Sequence, residues 1–425
     1  MDPNRQTAFE ALMASEKDAA YTNLEIKKAL SRGNANFPGF VRELVYGVTE
    51  YRLYLDYILD KIIRRGVASV RPPVLILMRM GLYQILFMDS VPDYAAVNET
   101  VTMTRRYAKG LEAFVNGVLR TAVHKARTVK LPDRGDMTEY LSIRYSCGKS
   151  LVMLLLGQYG EDMTERILAH SLGKPPLDIR CNLLRTTRDS LAERLRAKEI
   201  CSAPIENSER MLTVKGSDIT ETEEYANGLF SIQSRESEAI AAAAAPLQGD
   251  EVIDMCAAPG GKTTAMAEAM KNRGHITAID KYDHRLSLIN SQAQRLGITI
   301  IDTVCADAAE KLTDLPLADV VLADVPCSGI GVIREKPEIK YKNFDDLYDL
   351  YQTQRRILEQ SFAHVKPGGR LVYSTCTINK MENEETVRSF TAMTGNAALS
   401  GCTVFGPHMD GNDGFFAAVI TKIVK

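Results

Sequence analysis

No stretch of this 425-residue sequence holds the roughly 18–20 consecutive apolar residues that crossing a bilayer requires. The nearest candidate, residues 74–88, is broken by Arg79 and Gln84. The first residues, MDPNRQTAFE, lack the charged-then-apolar layout of a secretory leader. A cytoplasmic, monomeric protein with no membrane association is expected. None of the eight cysteines is spaced as CxxC, so a zinc site or a redox pair has no motif behind it. Free thiols and no metal are expected. Net charge is also nearly absent, at −2. Two phosphate-binding signatures are missing. G-x-G-x-x-G does not occur, and Gly261-Lys262-Thr263 has Cys256 where a P-loop needs its first glycine. That spacing disfavours a nucleotide triphosphatase.

The small net charge hides an asymmetry. Residues 1–130 carry 19 Lys and Arg against 13 Asp and Glu, so the excess of basic charge sits at the front. Such a segment can touch phosphates by releasing their counterions. It also reads as helical throughout. Apolar residues recur at helical spacing in Phe9, Leu12 and Met13 and again in Leu44, Val45 and Val48. Pro73 suits the first turn of a helix running to Phe87. A helical bundle is predicted over residues 1–130.

Residues 131–232 divide into a polar linker, LPDRGDMTE, with an amphipathic stretch around 151–159, and then a segment of different character over 176–232. Short strands are predicted at 177–180 and 211–214 with a helix at 190–198 between them, forming a small α+β module. A further helix over 237–245 ends in five consecutive alanines, excellent helix formers. A last domain is expected over 233–425, and from Glu251 onward strand and helix alternate. Near-continuous apolar strands at 252–256, 276–280, 299–304, 320–324 and 371–374 indicate a parallel sheet covered on both faces, a Rossmann-like α/β domain.

The first of these strands runs into DMCAAPGGKTT, residues 254–264, and then a helix. Small residues there let the backbone approach a ligand at the carboxyl edge of the sheet. Acids follow at successive strand ends. Asp280 closes the second strand at the spacing at which a carboxylate meets ribose hydroxyls, Asp307 follows the third, and Asp324 closes the fourth. A single acid after a strand is usually a cap or a turn residue. A series of them fits a nucleoside lying across the sheet. An adenosine without a phosphate chain points to S-adenosylmethionine.

Two cysteines stand at neighbouring strand ends. Cys327 follows Asp324 in DVPCSGIG (324–331), and Cys376 lies in STCTINKMENEE (374–385). Carbon 5 of cytosine is not nucleophilic enough to attack a sulfonium methyl. A thiolate adding at carbon 6 turns the ring into an enamine, assisted at ring nitrogen 3, and a base later removes the carbon-5 proton. That chemistry needs a cysteine, an acid and a second basic group. Asp324 with Cys327 and Cys376 supplies them, and spacing does not say which thiol attacks.

DMCAAPGGKTT, DVPCSGIG and STCTINKMENEE resemble the motifs of the RNA 5-methylcytosine methyltransferases. The resemblance implies S-adenosylmethionine as cofactor and Cys376, in the Thr-Cys motif, as nucleophile. It implies that Cys327 assists product release and that Asp324 is both a cofactor contact and the partner of cytosine nitrogen 3. Cys256, Ala257, Ala258, Pro259, Gly260, Gly261 and Lys262, with Asp280, Arg285 and Asp307, match cofactor-binding positions. DGFF at 413–416 resembles the family's last strand, expected to pack the sheet and shape the base pocket. In front, RELVYGV (42–48), AAVNE (95–99) and FVNGVLR (114–120) resemble the NusB RNA-binding domain. A NusB-like domain joined to this methyltransferase is the layout of the RsmB (Sun/Fmu) family, which implies small-subunit (16S) ribosomal RNA as substrate. Transfer RNA, or RNA binding without catalysis, are the alternatives. The intact Asp324, Cys327 and Cys376 weigh against the second. One departure stands out: YSCGKS at 145–150 replaces the family's usual Tyr-Ser-His-Pro and a tryptophan, and the whole chain has no tryptophan.

Overall fold

A computed structural model describes residues 1–18, 22–33, 35–215, 219–407 and 412–424. The chain forms two compact units. The first comprises Met1–Gly173 with Ile333–Asp345, and the second Lys174–Val332 with Asp346–Lys425. These limits differ from the 1–130, 131–232 and 233–425 division expected from sequence. Residues 131–173 belong with the helical unit, and a short segment from late in the chain joins it. Among the described residues no helix is long and apolar enough to cross a membrane.

The first unit is a helical bundle. Its central helix, Pro72–Phe87, starts with proline in the first turn as predicted and is buried on every side, as its nearly unbroken apolar sequence requires. Helices Pro38–Glu50, Asp93–Tyr107 and Glu112–Lys125 pack against this core through Leu44, Val45, Val97, Val115 and Leu119. Gly47 permits the closest approach. A Cβ there would lie 1.9 Å from the Tyr83 ring. Charged residues are also buried in this unit, Arg79 among them. Arg79 donates to both oxygens of Asp56 at 2.6 and 2.7 Å and also pairs with Glu16.

Residues 333–345 form a strap held in this unit. Lys340 is fully buried, donates to the carbonyl of Tyr145 at 3.2 Å, and is pushed below its ordinary pKa by burial. Tyr341 accepts from the Arg52 N–H, and its hydroxyl lies 2.7 Å from Thr49 O and 2.9 Å from Ser146 Oγ. It therefore serves the junction between helices Pro38–Glu50 and Arg52–Ile62. The divergent 145–150 segment is the receiving side. Gly148 donates to the carbonyl of Lys340 at 2.7 Å, and a Cβ on Gly148 would lie 3.0 Å from that oxygen.

The second unit contains two sheets. The smaller has strands β1 (Leu177–Cys181), β2 (Cys201–Pro204), β3 (Met211–Lys215) and β4 (Phe230–Ile232) in the order β2-β3-β1-β4. All its pairings are antiparallel, and helix Arg188–Ala197 buries Leu191 and Leu195 in the same core as Ile179 and Leu212. The sequence predicts β1, β3 and the helix but not β2 or β4. The larger sheet has β5 (Glu251–Asp254), β6 (His275–Asp280), β7 (Ile301–Cys305), β8 (Ala318–Asp324), β9 (Val365–Thr375), β10 (Ala397–Phe405) and β11 (Phe415–Lys422). Their order is β10-β11-β9-β8-β5-β6-β7. The five strands predicted from sequence pair in parallel, and β11 runs antiparallel between β9 and β10. The order reverses at β5, so the carboxyl ends of β5, β6 and β8 open a crevice at the switch point.

Candidate active site

Every predicted site residue lies at the carboxyl end of a strand in this sheet or on the loop or helix that follows. Residues 255–260 leave β5 and enter helix Gly261–Ala269. Gly260 makes that turn with φ of 101°, a left-handed conformation costly for any side chain, and Ile289 closes the space beside it. Beneath the loop, Thr263 donates to Asp254 at 2.7 Å. Burial pushes the Asp254 carboxyl up to about 7, and its other oxygen is buried with no donor among the described residues. Burial, followed by the carboxylates of Asp254, Asp324 and Asp280, likewise raises the Cys256 thiol far above its ordinary value.

The acids of the next strands are arranged around this loop. Asp280, almost fully buried, accepts from the Tyr282 N–H at 3.1 Å and pairs with Arg285 at 3.1 Å. Arg285 also donates to Ala258 O at 2.8 Å, so it ties the end of β6 to the loop after β5. Asp307 is more open and bonds Lys281 at 2.8 Å and the Ala309 N–H at 3.0 Å. Lys281 is the largest influence, and it holds the Asp307 carboxyl below its ordinary range. A buried acceptor without a donor under a small-residue loop, with carboxylates at the adjoining strand ends, fits a ligand carrying an ammonium and ribose hydroxyls. S-adenosylmethionine has both.

Behind the loop lies a group that no sequence pattern singles out. Arg180 of β1 is fully buried and donates to both oxygens of Glu268 at 3.0 Å. It also bonds Gly261 O at 2.9 Å, Thr264 Oγ1 at 3.1 Å and Gln233. It thereby connects the small sheet to the first turn of the helix that opens the ligand loop. Only a register-resolved strand places that guanidinium inward.

The reactive groups meet at the ends of β8 and β9, which pair with Asp324 opposite Ser374. Asp324 accepts from Lys262 Nζ at 2.7 Å and from Ser374 Oγ at 2.8 Å. Lys262, expected as a cofactor contact, is thus the ion-pair partner of the candidate acid. Burial works against its charge, but Asp324 carries its pKa above the ordinary value. Cys327 and Cys376 are free thiols 3.1 Å apart, and the Cys376 N–H points at Cys327 Sγ at 3.3 Å. The hydrogen bond to Cys376, then burial, raises Cys327 well above its ordinary value. The start of β11 adjoins the same place. Gly414 donates to Gly331 O at 2.8 Å, Gly331 donates to Cys376 O at 3.1 Å, and Lys262 lies over the Phe415 ring.

Comparison with known proteins agrees with this layout. The profile of the family described as 16S rRNA methyltransferase RsmB/F matches residues 241–421. That of the NusB family matches 2–124, and that of the RsmF/B-like ferredoxin-like domain matches 149–219. The chain is 36% identical over 392 residues to a Bacillus subtilis protein named probable ribosomal RNA small subunit methyltransferase B, covering 91% of this chain and 87% of that one. A Synechocystis protein of the same name is 32% identical across 98% of this chain and 99% of its own. The crystal structure of PH0851 superposes with a TM-score of 0.85 over 99% of both chains at 24% identity, which shows a shared fold. A helical bundle, a ferredoxin-like module and a methyltransferase sheet occur here in the order and at nearly the full length of those relatives, and the chain belongs to the 16S rRNA methyltransferase RsmB/F family.

Proposed function

We propose that this protein transfers a methyl group from S-adenosylmethionine to carbon 5 of a cytosine in small-subunit ribosomal RNA, through a covalent bond between Cys376 and carbon 6. The observation that carries the reading is the thiol pair, 3.1 Å apart at the end of the strand next to Asp324. Attack at carbon 6 requires a thiolate, and the match of Cys376 to the Thr-Cys motif gives it that part, with Cys327 as the second thiol beside it. The relatives' names supply the RNA class, and the NusB-like unit with its excess of basic residues supports phosphate contacts.

S-adenosylmethionine, when bound, supplies an electrophilic methyl group. The loop 256–262 with Asp254, Asp280, Arg285 and Asp307 would hold it. Cys376 adds to carbon 6 of the cytosine, and a carbon–sulfur bond forms while the ring's electron density moves toward nitrogen 3. Asp324, fixed by Lys262 and Ser374, partners that nitrogen. Carbon 5, now electron-rich, takes the methyl group. A base then removes the carbon-5 proton, its bonding electrons re-form the ring double bond, and the carbon–sulfur bond breaks to return the Cys376 thiolate, a release that Cys327 beside it assists.

Single-cysteine variants incubated with ribosomal RNA and cofactor test the reading. Cys376→Ala should abolish both methylation and covalent RNA capture. Cys327→Ala should accumulate a protein–RNA complex that survives a denaturing gel. The reverse pattern would exchange the roles, and full activity in both variants would end covalent catalysis by either thiol. Bisulfite sequencing of ribosomal and transfer RNA from a deletion strain decides the substrate class.

A further inference from the structure

Glu382 is fully buried, yet it lies in the loop after β9, two residues before helix Glu384–Met393. Its partners are all uncharged donors. Oε2 accepts from the Ser328 N–H at 2.8 Å and from Gln354 Nε2 at 2.8 Å, and Oε1 accepts from Asn379 Nδ2 at 2.9 Å. A buried carboxylate is costly without full hydrogen bonding, and neutral donors offset less of that cost than a cation does. Its position shows what it holds. Ser328 follows Cys327, and Gln354 also bonds Pro326 O at 3.0 Å, so the residues on both sides of Cys327 are fixed. Ser328 Oγ lies 2.8 Å from Thr377 Oγ1, next to Cys376, and the Asn379 N–H returns to that oxygen at 3.1 Å. Ser328, Thr377, Asn379 and Glu382 form a closed ring of hydrogen bonds spanning both cysteine loops.

We propose that Glu382 is a positioning residue that sets the separation of the two thiols by joining the Pro-Cys loop to the Thr-Cys loop. The inference deepens the proposed function and rests on it for the catalytic consequence, but not for the geometry. Without the carboxylate, Ser328 and Asn379 lose their common acceptor and the two loops are free to separate. Cys376 can still attack, whereas Cys327 is no longer held beside it to assist elimination.

Two readouts test this on the full-length protein. The first needs no catalysis. Diamide takes two electrons from a pair of close thiols, forming the sulfur–sulfur bond and being reduced to the hydrazine. The rate of Cys327–Cys376 disulfide formation, mapped by peptide mass, should fall at least about tenfold in Glu382→Gln, because exchange depends on thiol approach. The second is turnover. Glu382→Gln should lose about tenfold or more in kcat with the KM for S-adenosylmethionine within about twofold, the pattern of a group that acts only on the reacting state. It should also accumulate the covalent RNA complex as Cys327→Ala does. A folded Glu382→Gln with wild-type disulfide rate overturns the proposal. So does activity lost without adduct while Cys327→Ala still accumulates it. If Cys327→Ala itself gives no adduct, the thiol roles fail and the diamide rate alone judges Glu382. Should Glu382→Gln not fold, Gln354→Leu releases only the Pro326 side. It should slow disulfide formation several-fold, and an unchanged rate there would equally overturn the inference.

Discussion

Arg79 in the helical unit and Arg180 in the catalytic unit are both buried arginines, yet they do different work. The side chain of Arg79 is 8% exposed, but its partners Asp56 and Glu16 reach water at 18% and 32%. Arg180 and Glu268 are 0% and 1% exposed, and Arg180 also serves a carbonyl, a hydroxyl and an amide. The first clamps helices of the bundle through two partly exposed carboxylates. The second ties one sheet to a ligand-loop helix that belongs to another. Buried charge in the bundle supports packing, whereas in the catalytic unit it fixes the entry of a functional turn.

The contrast can be broken by deleting each head group in turn. Arg180→Met leaves Glu268 enclosed and should cost about 3–5 kcal/mol in urea unfolding, with weaker cofactor binding as well. Arg79→Met leaves carboxylates that water can reach and should cost about 1–3 kcal/mol with cofactor affinity unchanged. Equal losses from the two would erase the distinction. A third pair sharpens it at the site itself. Asp280 is 4% exposed and its partner Arg285 is 41% exposed. Asp280→Ala should weaken S-adenosylmethionine binding by about 1–3 kcal/mol, because the ribose loses its acceptor. Calorimetry showing unchanged affinity would remove Asp280 from the cofactor site.

The smallest effect belongs to the most open cluster. His275, at the start of β6, lies 2.6 Å from Glu251 and 2.9 Å from Asp302. The hydrogen bond to Glu251, with help from Asp302, raises it above 6.5. A raised folded value means the stabilisation is complete below pH 6.5 and is lost as pH climbs through that raised value. The melting temperature should therefore drift down by a small amount as pH rises from about 6 to 8. His275→Gln should flatten the drift, and an identical slope in the variant would exclude the cluster as its source.

What the sequence displayed and what it concealed follow the same division. The strands ending in Asp254, Asp280 and Asp324 are continuous apolar runs because they are covered on both faces, and such runs are visible without coordinates. Pro73 and the central helix were visible for a similar reason. Strand β2, CSAP, is short and exposed, and β10 is exposed along its middle, so neither carries the alternation that reveals a strand. The loop 256–262, Asp280, Asp324 and the two cysteines stand out because strand ends concentrate chemistry. Arg180, Gln354 and Glu382 do not, because a buried polar residue looks like a surface one until its partners are known. Asn379 and Glu382 fall inside the STCTINKMENEE segment, yet only their shared hydrogen bonds give them a task. Lys262 matches a cofactor-binding position, and its ion pair with Asp324 is visible only in three dimensions.

The strap has a consequence in time. The helical unit is made of the first 173 residues and of 333–345, so its own sequence is interrupted by most of the catalytic unit. A chain growing from its amino end exposes the helices early, but Lys340 and Tyr341 emerge only after the Pro-Cys turn at 326–327 has been made. The bundle therefore cannot finish before the enzyme's second motif exists, and maturation of the two units overlaps during translation. We expect residues 1–173 alone to be cut faster by protease than the same helices in the whole chain. A peptide spanning 333–345 should restore part of that protection. Equal resistance without the peptide would show that the bundle closes on its own.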